Sequence, residues 1–200
     1  MLASHPMVAI ARAAPSDAPG IARVYVDSWR HAYAGLLPDR VLVGLDYERH
    51  SREWAWVVAN RGDVQPVFTA RAAKGRIVGM ASVGLSRAKD RPADGPYASS
   101  TLTAPVGEIF TLYVDPDWQD RGVGRGLLAA GLGNLAARGC RRAFLWVLRE
   151  NPACFFYERM SGVRIAQRRE RLWGCDVDEV AYGWTDTAAV AAKLGSCSAA

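Results

Sequence analysis

A glycine-rich stretch, "DPDWQDRGVGRGLLAAGL" at residues 115–132, constrains the fold of this chain more than any other segment. It follows the apolar run "IFTLYV" and places Gly122, Gly124 and Gly126 at alternate positions between arginines. Glycine inside a helix lowers its stability, yet leucines at helical spacing follow directly after these glycines. The pattern predicts a buried strand, a tight turn and a helix, with a turn backbone that either needs conformational freedom or approaches another group closely.

The rest of the chain alternates strands and helices, as is typical of an α/β domain. The predicted elements are a strand at 7–13, a helix capped by Asp17, a helical segment at 39–60, two strands joined at Lys74-Gly75, the strand "GEIFTLYV", a helix over 123–138, the strand "AFLWVL", a short helix begun by Asn151-Pro152, and a strand pair at 163–171 and 177–184. We expect one domain over residues 1–184, a mobile loop at 86–106 and a flexible tail at 185–200.

Composition limits the class of protein. Two hundred residues, half of them apolar, suit a single domain with a substantial core. No apolar run of about 18 residues occurs in the sequence, and we expect no signal peptide, so we expect a cytoplasmic protein without membrane contact. The scattered Cys140, Cys154, Cys175 and Cys197 favour reduced thiols and no metal site. The net charge of +5 is spread along the chain, which argues against a nucleic-acid partner and agrees with a small polyanionic ligand.

The glycine turn has the features of an anion site. Free N–H groups at a helix start point outward, the helix dipole adds partial positive charge, and Arg121 and Arg125 can pair with phosphate oxygens. The P-loop string G-x-x-x-x-G-K-[ST] does not occur. A dinucleotide fingerprint can be placed on Gly124, Gly126 and Ala129, but the intervening "DPDWQDRGV" and the missing acidic strand end exclude it. An ordinary packing turn is the remaining alternative.

A third pattern, Q-x-x-G-x-G at residues 119–124, resembles the acyl-CoA pyrophosphate loop of the GNAT superfamily of N-acyltransferases. The resemblance extends to "NPACFFYERMSG", which is similar to a later family helix, and to "EVAYGW", which resembles its last strand; in all it covers roughly residues 8–184. It implies an α/β fold with a mixed central sheet of six to seven strands, flanked by helices and splayed between strands four and five.

The resemblance also implies acetyl-CoA as co-substrate and the residues that bind it. The strand before the turn would offer main-chain groups to the pantetheine arm, and the turn would hold the diphosphate. Asn151 would either bind pantetheine or simply cap its helix. The implied acetyl-CoA-binding residues are Leu112, Tyr113, Val114, Gln119, Asp120, Arg121, Gly122, Val123, Gly124, Arg125 and Asn151.

Transfer to an amine needs a base for the ammonium proton and an acid for the departing thiolate. We predict Glu108 as the base, since regular alternation places it on the side of Phe110 and Leu112, where desolvation would raise its basicity. The alternative is an exposed strand-end carboxylate. The resemblance implies Tyr157 as the acid; the alternative is a core aromatic residue.

The acceptor is the least defined part of the prediction. Trp29 and Tyr33 share a helical face and would either line an acceptor pocket or pack in the core. No acidic cluster is visible in the sequence, so the acceptor is predicted only as a small-molecule or peptide amine, and a homodimer remains open. The predicted function is acetyl transfer from acetyl-CoA to a primary amine by direct attack in a ternary complex. The alternative is a non-catalytic acyl-CoA sensor or regulatory module.

Overall fold

The computed structural model describes residues 8–93, 95–98, 104–172 and 174–196. Seven strands form one mixed sheet in the order β1-β2-β3-β4-β5-β7-β6. The strands are β1 Ala9–Arg12, β2 Val67–Arg71, β3 Ile77–Leu85, β4 Val106–Val114, β5 Arg142–Leu148, β6 Val163–Leu172 and β7 Cys175–Trp184, and the helices are α1 Ala18–Ala32, α2 Asp39–Val43, α3 Tyr47–Arg61, α4 Val123–Ala137, α5 Ala153–Arg159 and α6 Thr187–Ser196. The predicted fold class is confirmed.

The sheet is divided at its centre. All neighbouring strands are antiparallel except β4 and β5, whose parallel pairing ends at Glu108 opposite Phe144 although both strands continue. In β4 the register shifts against β3, so that Ser82 faces Thr111 while Val83 faces Ile109. One residue, Phe110, is therefore extra on β4, and a β-bulge of this kind bends and twists its strand. The bulge accounts for the predicted splay between strands four and five.

One face of the sheet, here called the α4 face, carries most of the core. The leucines that the sequence places at helical spacing in α4 are fully buried against strand residues such as Val83, Ile109 and Leu145. Each such side chain contributes about 1.5–3 kcal/mol. At Gly107 a Cβ would lie 2.7 Å from Leu135, so the helix packs directly on the backbone of β4.

The opposite face, here called the α1 face, is covered in three parts. Helices α1 and α3 pack over β2 and β3 through Ile21 and Trp54. The segment from Trp29 through α2 packs on Leu148. At the far end Tyr97 packs on Val106 and Phe144. The space over the splayed strands lies between the second and third parts.

Three predicted segments need correction. The predicted flexible tail is wrong for residues 187–196, which form α6; this Ala-rich segment favours helix and buries Leu194 on the α4 face. The predicted helix at 39–60 is two helices, and Asp46 caps the second by accepting a hydrogen bond from the Arg49 amide (2.6 Å). Asp17 does not cap α1, because its carboxylate accepts from the Ala14 amide (2.8 Å) instead.

The predicted loop at 86–106 is anchored where the structure describes it. Two short 3-10 turns, Ala88–Asp90 and Gly95–Tyr97, interrupt it, and the Tyr97 ring is only 1% exposed. Within the described residues no helix is long and apolar enough to cross a membrane. Cys140, Cys154 and Cys175 form no disulfide with one another, and Cys197 lies outside the described residues.

Candidate active site

The opening between β4 and β5 connects the two faces of the sheet. Phe144, Trp146 and Leu148 alternate onto the α1 face, where Leu148 packs on Trp29. Glu108 pairs with Phe144 and so points to the same face. Tyr157 belongs to the core on the α4 face. The two predicted catalytic side chains thus approach the opening from opposite sides of the sheet.

The glycine turn presents backbone N–H groups at the start of α4. Gly122 has a φ of 77° and Asp120 a φ of 56°, so the chain takes the left-handed conformation twice before the helix. The first backbone hydrogen bond of the helix runs from the Gly126 amide to the Gly122 carbonyl (3.0 Å), which leaves the amides of the first turn pointing outward. The Arg121 guanidinium lies 5.2 Å from the centre of the Trp118 ring. This arrangement fits a diphosphate group.

The other two glycines have a packing reason as well. A Cβ at Gly124 would lie 3.2 Å from the Phe156 ring, and one at Gly126 would lie 3.3 Å from Ile10. Of the three glycines, only Gly122 has the left-handed backbone conformation that favours glycine. The packing-turn alternative therefore accounts for Gly124 and Gly126, and the anion-site interpretation rests on Gly122 and the exposed amides.

A buried carboxylate that was not predicted from the sequence supports the turn. Asp115, 4% exposed, accepts hydrogen bonds from Arg23 of α1 (2.9 Å), Arg76 before β3 (2.9 Å) and the Asp117 amide (3.1 Å). Burial raises the pKa of Asp115, but the hydrogen bonds from Arg23 and Arg76 outweigh it, so the pKa lies below its usual value. The aspartate between a strand and Pro116 was the available signal, since Asp often caps such turns.

Glu108 is buried, with 9% of its surface exposed, and its Oε2 has no hydrogen-bond partner among the described residues. Burial, and next the nearby Asp90 carboxylate, raise the pKa of Glu108 to about 7, while Arg87 and Arg168 act in the opposite direction. This is the environment expected of a base at neutral pH, and the exposed-carboxylate alternative is wrong.

The side assigned to Leu112 needs correction. Because the bulge at Phe110 inserts one residue, Leu112 turns to the α4 face, away from Glu108. Phe110 does share the side of Glu108, since its ring lies over Gly84, the β3 partner of Glu108. Tyr113 instead points to the α1 face, where its ring centre lies 5.4 Å from that of Tyr25.

Tyr157 is 6% exposed and contacts the rings of Phe156, Tyr182 and Trp184. Burial, with a smaller effect of Tyr33 across the opening, raises the pKa of Tyr157. The phenol is therefore protonated at neutral pH and able to donate its proton. The Tyr157 ring packs in the core, as expected if Tyr157 is a core aromatic residue, and the same burial keeps its hydroxyl protonated.

Tyr33 lies at the centre of a hydrogen-bonded group that was not predicted from the sequence. Its hydroxyl interacts with the side chains of Tyr113 and Asn151, which partly offset the rise in its pKa caused by burial. Asn151 also accepts a hydrogen bond from the Ala153 amide (2.9 Å), the predicted capping role. Trp29, by contrast, is 7% exposed and packs in the core with Leu148.

Comparisons with known proteins show the family to which the chain belongs. The family model described as the acetyltransferase (GNAT) family matches residues 21–163. The chain is 32% identical over 188 residues to the uncharacterized N-acetyltransferase YuaI of Bacillus subtilis (strain 168), covering 94% of this chain and 99% of that protein. It is 35% identical over 141 residues to the aminoglycoside N(6′)-acetyltransferase type 1 of Stenotrophomonas maltophilia, covering 70% and 74% of the two proteins.

Solved structures show the same fold. The PaiA N-acetyltransferase of Thermoplasma acidophilum, in complex with coenzyme A, matches with a TM-score of 0.61 at 18% identity, over 87% of this chain and 98% of that one. The chain therefore belongs to the GNAT family of acetyltransferases.

Proposed function

We propose that this protein transfers an acetyl group from acetyl-CoA to a primary amine by direct attack in a ternary complex. The observation that carries the proposal is the buried carboxyl of Glu108, whose Oε2 has no hydrogen-bond partner among the described residues, at the point where β4 and β5 part, with Tyr157 on the other side of the opening. The named relatives support the reaction class, since one of them is an aminoglycoside acetyltransferase.

Acetyl-CoA would be held mainly by backbone groups. The turn from Gln119 to Arg125 would bind the diphosphate through the first-turn amides and the positive end of α4, with Arg121 and Arg125 adding charge. Leu112, Tyr113 and Val114 lie beyond the last β4–β5 pair, so β5 does not use their main-chain groups on that side. Those groups, with Asn151, would bind the pantetheine arm.

The chemical step divides between two side chains. Glu108, with a pKa of about 7, takes a proton from the acceptor ammonium, and the free amine attacks the thioester carbonyl. Tyr157, kept protonated by burial, donates its proton to the thiolate as the carbon–sulfur bond breaks, and the second proton that the acylated nitrogen loses returns to the Tyr157 oxygen. No covalent acyl-enzyme is required, so the amine and acetyl-CoA must be bound together.

The test is thiol release from acetyl-CoA across a library of primary amines. The proposal predicts release with at least one amine and a kcat/KM that falls at pH values below about 7, where Glu108 takes up its proton. A Glu108→Gln variant should lose this acid limb together with most of the rate. Binding of acetyl-CoA without release for any amine would instead establish the acyl-CoA sensor.

A further inference from the structure

We infer that the Tyr33 hydroxyl is a catalytic group of the acetyl transfer: it donates a hydrogen bond to the thioester carbonyl oxygen of acetyl-CoA and stabilises the negative charge that forms there. Tyr113 and Asn151 are positioning residues for this hydroxyl. The inference rests on the proposed function and adds a third side chain to its chemical step. It is carried by a side-chain bridge over the opening between β4 and β5.

The bridge connects the two strands where their backbones part. Tyr113 lies on β4, beyond the last β4–β5 pair at Glu108. Asn151 follows β5, and its backbone amide donates to the Leu148 carbonyl (2.9 Å). The Tyr33 hydroxyl, which comes from the end of α1, hydrogen-bonds to the side chains of both. The bridge therefore lies over the α1 side of the opening.

Tyr33 is held firmly at the end of α1. Its amide donates to the Trp29 carbonyl (3.0 Å), and its carbonyl accepts from the Leu37 amide (3.0 Å). Its ring packs edge-on against Trp29, with the ring centres 4.9 Å apart. The helix is also tied to the end of β4, since the Ser28 hydroxyl donates to the Val114 carbonyl (3.1 Å). The Tyr33 hydroxyl is therefore presented to the opening from a fixed support.

Both partners of the Tyr33 oxygen act as donors. The Asn151 side-chain oxygen is occupied by the Ala153 amide (2.9 Å), which leaves its nitrogen, a donor, for Tyr33. Burial raises the pKa of Tyr33, and the hydrogen bonds with Tyr113 and Asn151 lower it, as donors to a phenol oxygen do. The Tyr33 proton then points away from both donors. Their donation also polarises the O–H bond and strengthens the hydrogen bond that this proton makes.

The thioester of bound acetyl-CoA would lie between Tyr33 and Tyr157. Burial raises the pKa of Tyr157, and Tyr33 adds to this rise through charge rather than through a hydrogen bond. The two hydroxyls thus border one gap from the two faces of the sheet. Tyr157 is proposed to protonate the sulfur in this gap, and the carbonyl carbon is bonded directly to that sulfur. The carbonyl oxygen therefore comes within reach of the donor on the opposite side.

Tyr33 can donate without losing its proton. Its pKa lies above the ordinary value mainly because the residue is buried, and the Glu179 carboxylate acts in the same direction. Glu179 is itself paired with Arg168 (2.7 Å), which also pairs with Glu170 (2.8 Å). Tyr33 is therefore a neutral phenol at neutral pH, as a hydrogen-bond donor to a developing negative charge must be.

The step balances without a further proton. As the amine nitrogen bonds to the carbonyl carbon, the π electrons of the carbonyl move to oxygen, where the Tyr33 hydrogen bond stabilises them. When the carbon–sulfur bond breaks, the carbonyl re-forms, the bonding pair leaves with sulfur, and Tyr157 supplies the proton. Tyr33 keeps its proton throughout. Because its contact strengthens as the charge forms, its loss lowers kcat more than it weakens binding.

The first readout is the carbonyl stretching frequency of bound acetyl-CoA, measured by infrared difference spectroscopy with ¹³C at the thioester carbonyl. A hydrogen bond to this oxygen lowers the frequency, so wild type should give a lower value than Tyr33→Phe. Tyr113→Phe, which keeps the Tyr33 hydroxyl and removes one of its donors, should give an intermediate value. Tyr25→Phe is the matched control and should equal wild type, because Tyr25 packs edge-on against Tyr113 (ring centres 5.4 Å apart) without belonging to the bridge.

The second readout is turnover with the best amine of the library. Tyr33→Phe should lower kcat about 10²-fold, as for loss of one oxyanion donor, with the KM values for acetyl-CoA and amine nearly unchanged. Equal carbonyl frequencies in wild type and Tyr33→Phe, or a raised amine KM at constant kcat, would overturn the inference and leave the acetyltransferase intact. If no amine releases thiol, the proposed function fails by itself, and the inference stands or falls with the frequency difference. Should Tyr33→Phe fail to fold, Tyr113→Phe decides, and an unchanged frequency in that variant overturns the inference.

Discussion

Replacing the proposed catalytic base should make this protein more stable at alkaline pH. The native state holds the Glu108 proton more tightly than the unfolded chain, because the pKa rises from 4.5 to about 7 on folding. Raising the pH above 4.5 therefore ionises this carboxyl first in the unfolded chain and lowers native stability until the native pKa is passed. Glu108→Gln, neutral at every pH and similar in size, escapes this loss.

The magnitude follows from the shift. At about 1.36 kcal/mol per pKa unit, Glu108→Gln should be about 3 kcal/mol more stable than wild type at pH 8 and nearly equal to it at pH 4. The assay is urea unfolding at a series of pH values, with ΔG extrapolated to water for both proteins. Glu48→Gln is the control, because the Glu48 side chain is 87% exposed and its loss should give no such gain.

The result that would refute this reasoning is a stability difference between Glu108→Gln and wild type that does not change with pH. The Glu108 carboxyl would then not be desolvated in the native state, and the physical basis for its role as a base would be lost. The expected combination is a variant that is inactive and yet more stable, as for groups kept for function at a cost in stability.

Three further predictions concern acetyl-CoA and the chemical step. Gly122→Asp should abolish the acetyl-CoA binding that calorimetry measures. The control is Gly75→Asp, where φ is 78° against 77° at Gly122, so this variant should lose similar stability and keep its acetyl-CoA affinity. Loss of acetyl-CoA binding in both variants, or in neither, would contradict the diphosphate site. Asp115→Asn should raise the acetyl-CoA KM. The control is Asp17→Asn, which removes another buried, arginine-paired carboxylate and should destabilise the fold without changing this KM. If the two variants have the same acetyl-CoA KM, Asp115 has only a general structural role. Tyr157→Phe should lower kcat while acetyl-CoA affinity stays nearly constant, and full turnover would remove Tyr157 from the mechanism.

The elements of the proposed acetyl-CoA site could be predicted from the sequence because they are contiguous. A strand, a turn and a helix between residues 106 and 137 follow local rules of apolar periodicity and glycine placement. The capping role of Asn151 is equally local, since its side chain bonds an amide two residues away. The segment 187–196 was predicted as a flexible tail although its alanines favour helix, and the packing on α4 that holds this helix in place is a long-range contact.

The α1 face beside the splayed strands, where the acceptor is proposed to bind, depends on tertiary structure. The bulge at Phe110 places Leu112 on the α4 face and Tyr113 on the α1 face, which is the reverse of what uninterrupted alternation from Glu108 predicts. Asp90, Glu108, Glu170 and Glu179 come from a loop and three strands, and each looks like an isolated charge in the sequence. Their juxtaposition follows from strand order and register, which long-range pairing determines. The sequence by itself thus determined the fold class and the local parts of the proposed acetyl-CoA site, and only the folded sheet brought charges from distant segments onto one face.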